Sequence, residues 1–165
     1  MNEAEKLEIS KSFRVVMEEQ VFMIAEPSSF EDADDTARPF LGCHMTFAGA
    51  RKGRVLLAVP EDIVDEVAAN FLGLDAGDPR ATAMAGDAFG ELLNVVCGHL
   101  LTALFGDSAF SLTFPAVTRL ESGQLEALAA HPDTLSFLAD DSPVLLHVEL
   151  EEASAETEKE DAHLP

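Results

Sequence analysis

Between residues 78 and 105 the apolar positions recur at helical spacing, while the polar ones collect on the opposite side of the same segment. Asp78-Pro79 opens it and Gly106-Asp107 closes it, a capping residue with proline in the first turn and a glycine stop. With ~100° of turn per residue and Glu91 taken as zero, Phe89, Leu92, Leu93, Val96, Leu100, Ala103 and Leu104 occupy roughly the 100–220° sector. That sector is a core-facing stripe. Asp87 falls near about −40°, Asn94 near about −60°, Gly98 near about −20° and Thr102 near about +20°, which lines all four up with Glu91 on the other side.

The same reading predicts the remaining elements. Residues 3–25 place Leu7, Phe13, Val16, Met17, Val21 and Ile24 near helical period, so one helix is expected there, ended by Glu26-Pro27. An acidic loop over residues 26–35 follows, then a hairpin with strands at 40–48 and 54–59 around a turn at 49–53. Pro60-Glu61-Asp62 starts a second helix that buries Ile63, Val64, Val67, Phe71 and Leu72 and stops at Gly73. Beyond the long helix, 110–114 and 116–120 read as one strand interrupted at Pro115, which places it near a sheet edge. A short helix at 124–130 precedes a last hairpin, 134–139 and 144–150, joined through Asp140-Asp141-Ser142-Pro143. This order is not the strict alternation of a doubly wound fold. It predicts an α+β class with a mostly antiparallel sheet, one domain over residues 1–150, and an acidic, disordered tail over 151–165.

The polar stripe asks for a partner. A solvated helix face usually mixes charges of both signs, and this one has no cation. Asn and Gly both lower helix propensity, Gly by about 1 kcal/mol relative to Ala, so holding both on one stripe is a local sacrifice. Glu91 suits a charge-assisted hydrogen bond from a foreign Lys or Arg, and Asn94 suits holding a water. Gly98 permits close approach of another surface. A second near-match, Glu66 to Asn70, has the wrong spacing by one residue, and no internal repeat is visible.

Charge narrows the partners. The 165 residues carry 31 Asp and Glu against 10 Lys and Arg, a formal charge of −21, which disfavours nucleic acid and anionic membranes. Neither a secretory leader nor an apolar run of the ~20 residues needed to cross a bilayer is seen, so a cytoplasmic protein is expected. Cys43 and Cys97 read as core thiols. Cys97 and His99 would point ~160° apart on one helix and cannot share a metal, and no metal or cofactor is expected on this chain.

The combination Asp87-x-x-x-Glu91-x-x-Asn94-x-x-x-Gly98 on a long helix, followed by the strand Phe110-Ser-Leu-Thr-Phe-Pro115-Ala-Val, resembles the CheC/CheX family of chemotaxis phosphatases. The single motif copy is similar to CheX, and the element order agrees from about residue 3 to residue 150. The resemblance implies dephosphorylation of the aspartyl phosphate on a CheY-like response-regulator receiver domain. Asn94 would orient the attacking water and Glu91 would pair with the receiver's lysine. Asp87, Gly98 and Thr102 would touch the partner, and Mg²⁺ would belong to the receiver. It also implies a homodimer formed by extending one sheet into another, with the Pro115 strand and the C-terminal strand as candidate edges. The alternative is a non-catalytic docking or adaptor module of the chemotaxis or flagellar-switch type. A third reading makes Asn94 a structural residue within a dimer interface.

Overall fold

A computed structural model describes residues 1–32 and 38–151. The first helix, α1 (Glu3–Val16), is started by a reciprocal cap in which Glu5 N–H donates to Asn2 Oδ1 at 2.9 Å and Asn2 N–H donates to Glu5 Oε2 at 2.8 Å. It does not continue to residue 25. The chain widens into a π-helical turn over Met17–Val21 and stops at Phe22, whose φ of 57° is left-handed. Beyond Phe22 the burial alternates, with Met23 and Ala25 inside and Ile24 and Glu26 outside, which is strand period. Strand β1 (Ala25–Pro27) therefore occupies the start of what the sequence suggested was an acidic loop. Ile24, expected on the inner helical face, is 62% exposed, and Leu7 is exposed as well.

Strands β2 (Phe40–Gly49) and β3 (Lys52–Pro60) form the predicted hairpin, with pairing that runs closer to the tip than expected. Gly53 is required there, because a Cβ would collide with the Glu149 carbonyl oxygen and the Phe47 ring. A 3₁₀ turn leads into α2 (Val64–Leu72), capped by Gly73 at φ 68°. Helix α3 (Pro79–Phe105) has Asp78 as its N-cap, accepting from Arg80 N–H at 2.9 Å. The remainder is β4 (Phe110–Leu112), β5 (Ala116–Leu120), α4 (Ser122–Ala130), β6 (Thr134–Ala139) and β7 (Ser142–Leu150). The last hairpin is tighter than predicted. Ala139 pairs with Ser142, and both residues between them, Asp140 and Asp141, have positive φ, so Pro143 lies within the strand.

Among the described residues seven strands make one sheet in the order β1-β6-β7-β3-β2, and β4 and β5 lie end to end along the outer side of β2. Every pairing is antiparallel. The Pro115 strand is the expected edge, whereas β7 is interior, between β6 and β3, and the C-terminal strand is not available to extend the sheet.

One face of the sheet carries α1, α2 and α3 and holds the main core. Phe13 of α1 meets Phe137 of β6 with ring centroids 4.8 Å apart. Phe89, Leu92, Leu93, Val96 and Leu100 of α3 are buried there, as the spacing predicted. Ala103, at one edge of the predicted sector, is exposed instead, while Cys97 and Leu101 beyond its other edge join the buried stripe, so the core-facing sector is shifted around the helix from the predicted one. By length and composition α3 could span a bilayer, and half of its apolar window is buried within the protein, the position of a core helix. The opposite face of the sheet is covered by α4 over a smaller core of Phe40, Leu56, Leu125 and Leu145. The acidic tail beyond Glu151 and the loop positions 33–37 lie outside the described residues.

Candidate functional site

Helix α3 is anchored along one flank, so its other flank is held in a fixed orientation. Asp87, Glu91 and Thr102 are exposed and Asn94 and Gly98 half-buried, all on the side away from the core stripe. Glu91 and Asn94, three residues apart, lie on adjacent turns with Cβ atoms about 5–6 Å apart. Among the described residues, neither side chain has a hydrogen bond or ion pair, and the same holds for Asp87. The polar ends face solvent without internal commitment.

The edge strand completes the site. A cavity of about 590 Å³ opens beside α3, lined by Asp87, Gly90 and Glu91 from the helix and by Phe114, Pro115 and Val117 from the strand segment. Asn94, Gly98 and Thr102 are not among its lining residues. The cavity depends on the interruption between β4 and β5. Thr46 N–H donates to Thr113 Oγ1 at 2.9 Å, and Thr113 N–H donates to the Thr46 carbonyl at 3.0 Å, which pins the chain just before it leaves the sheet. Pro115 has no N–H to return to the ladder, so pairing resumes only at Ala116. Phe114, between the pin and the proline, is thrown out into solvent at 96% exposure.

The glycines of α3 have different surroundings. At Gly90 a Cβ would stand 3.4 Å from Pro115, so this residue, not Gly98, is where another segment of the chain passes close to α3. A Cβ at Gly98 or Gly86 would meet nothing within 4 Å, which leaves open backbone on the outward side. Sequence reasoning missed Gly90 and Phe114. Three glycines on α3 were visible, but which one lies under a crossing strand depends on sheet pairing.

The electrostatics of the stripe are acidic and uncompensated. Lys11, Arg14 and Arg51 are engaged away from the stripe, with Glu8, the Ala25 carbonyl and the Glu151 carbonyl respectively. The two thiols play no part. Burial pushes Cys43 up to about 12 and Cys97 up to about 11, so both stay protonated at neutral pH.

An antiparallel α+β sandwich whose longest helix shows an outward Glu-x-x-Asn stripe is the architecture of the CheC/CheX class of chemotaxis proteins. A family model described as chemotaxis phosphatase CheX matches residues 41–136, more than half of the chain, and the chain belongs to that family. No curated protein matches it in sequence. Among solved structures, the CheX chemotaxis protein of Desulfovibrio desulfuricans superposes with a TM-score of 0.64 at 14% identity, covering 90% of this chain and 99% of that one. The CheX–CheY–BeF3–Mg²⁺ complex of Borrelia burgdorferi gives 0.62 at 13% identity, covering 89% and 97%. FliY of Thermotoga maritima gives 0.55 at 13% identity, covering 93% of each chain. The likeness to these structures is one of fold.

Proposed function

We propose that this protein accelerates hydrolysis of the aspartyl phosphate on a CheY-like receiver domain, with Asn94 and Glu91 as its catalytic residues. The observation that carries the proposal is the pair itself: two polar side chains, without an internal partner among the described residues, on the outer flank of a helix whose inner flank is locked in the core. Membership of a phosphatase family and the CheX–CheY complex from Borrelia support the partner class.

In this reading Asn94 enters the receiver's active site and holds water in line with phosphorus. An amide can do so without presenting a full negative charge to a phosphoryl group. Glu91 accepts a charge-assisted hydrogen bond from the receiver's lysine, which neutralises its own charge where it would otherwise repel phosphate. Positioning and electrostatics suffice, with no covalent intermediate on this chain. The Mg²⁺ is held by the receiver. Asp87 and Thr102 border the footprint, Gly98 admits the partner's surface close to the helix backbone, and Phe114 flanks the cavity beside Glu91. The open side of β5 is the edge along which two copies would join, since β2 occupies its other side.

The test is to phosphorylate receivers from the same genome with a small phosphodonor and time the decay. Wild-type protein speeds decay of the cognate receiver, and Asn94→Ala removes the acceleration while the fold is retained. If receiver binding survives in Asn94→Ala and wild type leaves phosphate lifetime unchanged, the chain is a docking module and the catalytic proposal fails.

A further inference from the structure

On the face of the sheet away from α3, His131, His147 and Glu149 each offer one ligand atom, and these atoms lie within 4.8 Å of one another. His131 follows the last turn of α4, and His147 and Glu149 are two residues apart in β7 and so share one face. We infer that the three side chains form a site for one divalent cation of the zinc type, joining the end of α4 to the sheet. The inference is independent of the phosphatase reading, and sequence spacing did not reveal it because the ligands come from two elements.

Geometry carries it. A tetrahedral zinc with bonds of about 2.0–2.2 Å needs ligand atoms about 3.4 Å apart. His147 Nε2 and Glu149 Oε1 already stand 3.3 Å apart. The His147 ring is fixed in that direction by its other nitrogen, because Nδ1 lies 2.9 Å from Thr134 Oγ1 across the β6–β7 pair. A metal-binding histidine is ordinarily oriented through its second nitrogen in this way. His131 packs edge-on against His147 with ring centroids 4.6 Å apart. It is exposed, and among the described residues its ring has one hydrogen bond, from Asp133 N–H to Nδ1 at 3.1 Å, which can be exchanged for a metal bond by a turn of the ring.

The two imidazoles and one carboxylate suit zinc-like cations better than Mg²⁺ or Ca²⁺, which favour all-oxygen sites. The histidines also line a groove of about 350 Å³ with Arg54 and Gln124, room for water as the fourth ligand. Arg54 is the register partner of Glu149 on β3, and its charge opposes the cation.

The full chain, freed of metal with a chelator, is titrated with Zn²⁺ against a chromophoric competitor at low micromolar protein. Wild type takes up one equivalent with micromolar or tighter affinity. His131→Gln, at an exposed position, weakens binding at least 10-fold. Thr134→Val, which touches no metal, weakens it about 10-fold or more by releasing the His147 ring. Arg54→Gln tightens it, and His99→Gln, on α3, leaves it unchanged. Cobalt(II) in place of zinc gives a tetrahedral visible spectrum that His131→Gln abolishes. Circular dichroism checks that each variant is folded. Failure of wild type to take up an equivalent, or binding unaltered in His131→Gln, overturns the site.

Discussion

The two polar clusters of this molecule lie on opposite sides of one sheet and are satisfied in opposite ways. Around His147 the groups serve one another: Thr134 reaches Nδ1, Glu149 reaches Nε2, the His131 ring stacks edge-on, and Asp133 N–H donates to His131. On the outer flank of α3, Asp87, Glu91 and Asn94 have no such partners among the described residues. The first arrangement contributes to the stability of the chain that carries it, whereas the second leaves its hydrogen-bonding capacity for something outside. The chain belongs to a phosphatase family, and the catalysis we propose lies in the second region.

Mutations that move between these regions sharpen the contrast. The largest effect is expected on the buried flank of α3, where Leu93→Ala removes a fully buried side chain and should lower stability by about 2–5 kcal/mol in denaturant unfolding. Next comes the pin of the interrupted edge. Thr113→Val leaves Thr46 N–H without its side-chain acceptor, with an expected loss of about 1 kcal/mol. Because the same bond directs the turn bearing Phe114, kcat/KM for the phosphorylated receiver should fall with it. Phe114→Ala should lower kcat/KM without a stability change, since the ring is almost wholly exposed.

Stability answers to pH at His147. Burial, the largest influence, holds His147 below its ordinary value of 6.5, against the opposing pull of Glu149. The unfolded chain then binds a proton that the folded one resists. Stability is full above about pH 6.5 and declines as pH falls from there toward the lowered folded value. Chemical denaturation between pH 7.5 and 5, with chelator present, should show this decline, and His147→Gln should reduce its slope. A slope unchanged by that substitution would remove His147 from the account. Smallest of all, Glu91→Ala should alter stability by no more than about 0.5 kcal/mol, as for a surface residue with no hydrogen bond or ion pair among the described residues.

Much of the α3 stripe was legible before any coordinates. Its 3.6-residue period is long, both ends carry capping residues, and the buried and exposed flanks fall where the angles put them except at Ala103, Cys97 and Leu101. The bent edge strand was legible for a comparable reason, because proline cannot donate to a ladder. Legibility failed where a local pattern had two solutions. Met23-Ile24-Ala25 continues a helical spacing on paper, but Phe22 turns left-handed and the same residues alternate as strand. It also failed where the answer is tertiary. Nothing local says that Pro115 passes over Gly90 rather than Gly98, or that α4 ends against His147. The C-terminal strand looked like a candidate edge, yet it is central because β6 folds back outside it.

The central claim is that Asn94 acts on a phosphoryl group outside this chain. Its most direct measurement is the decay of a phosphorylated cognate receiver with wild-type protein and with Asn94→Ala, at equal, verified folding. The account predicts acceleration by wild type and a loss of about 100-fold or more in the variant, the scale on which misplacing a reactant affects catalysis. Equal acceleration by both proteins would contradict it.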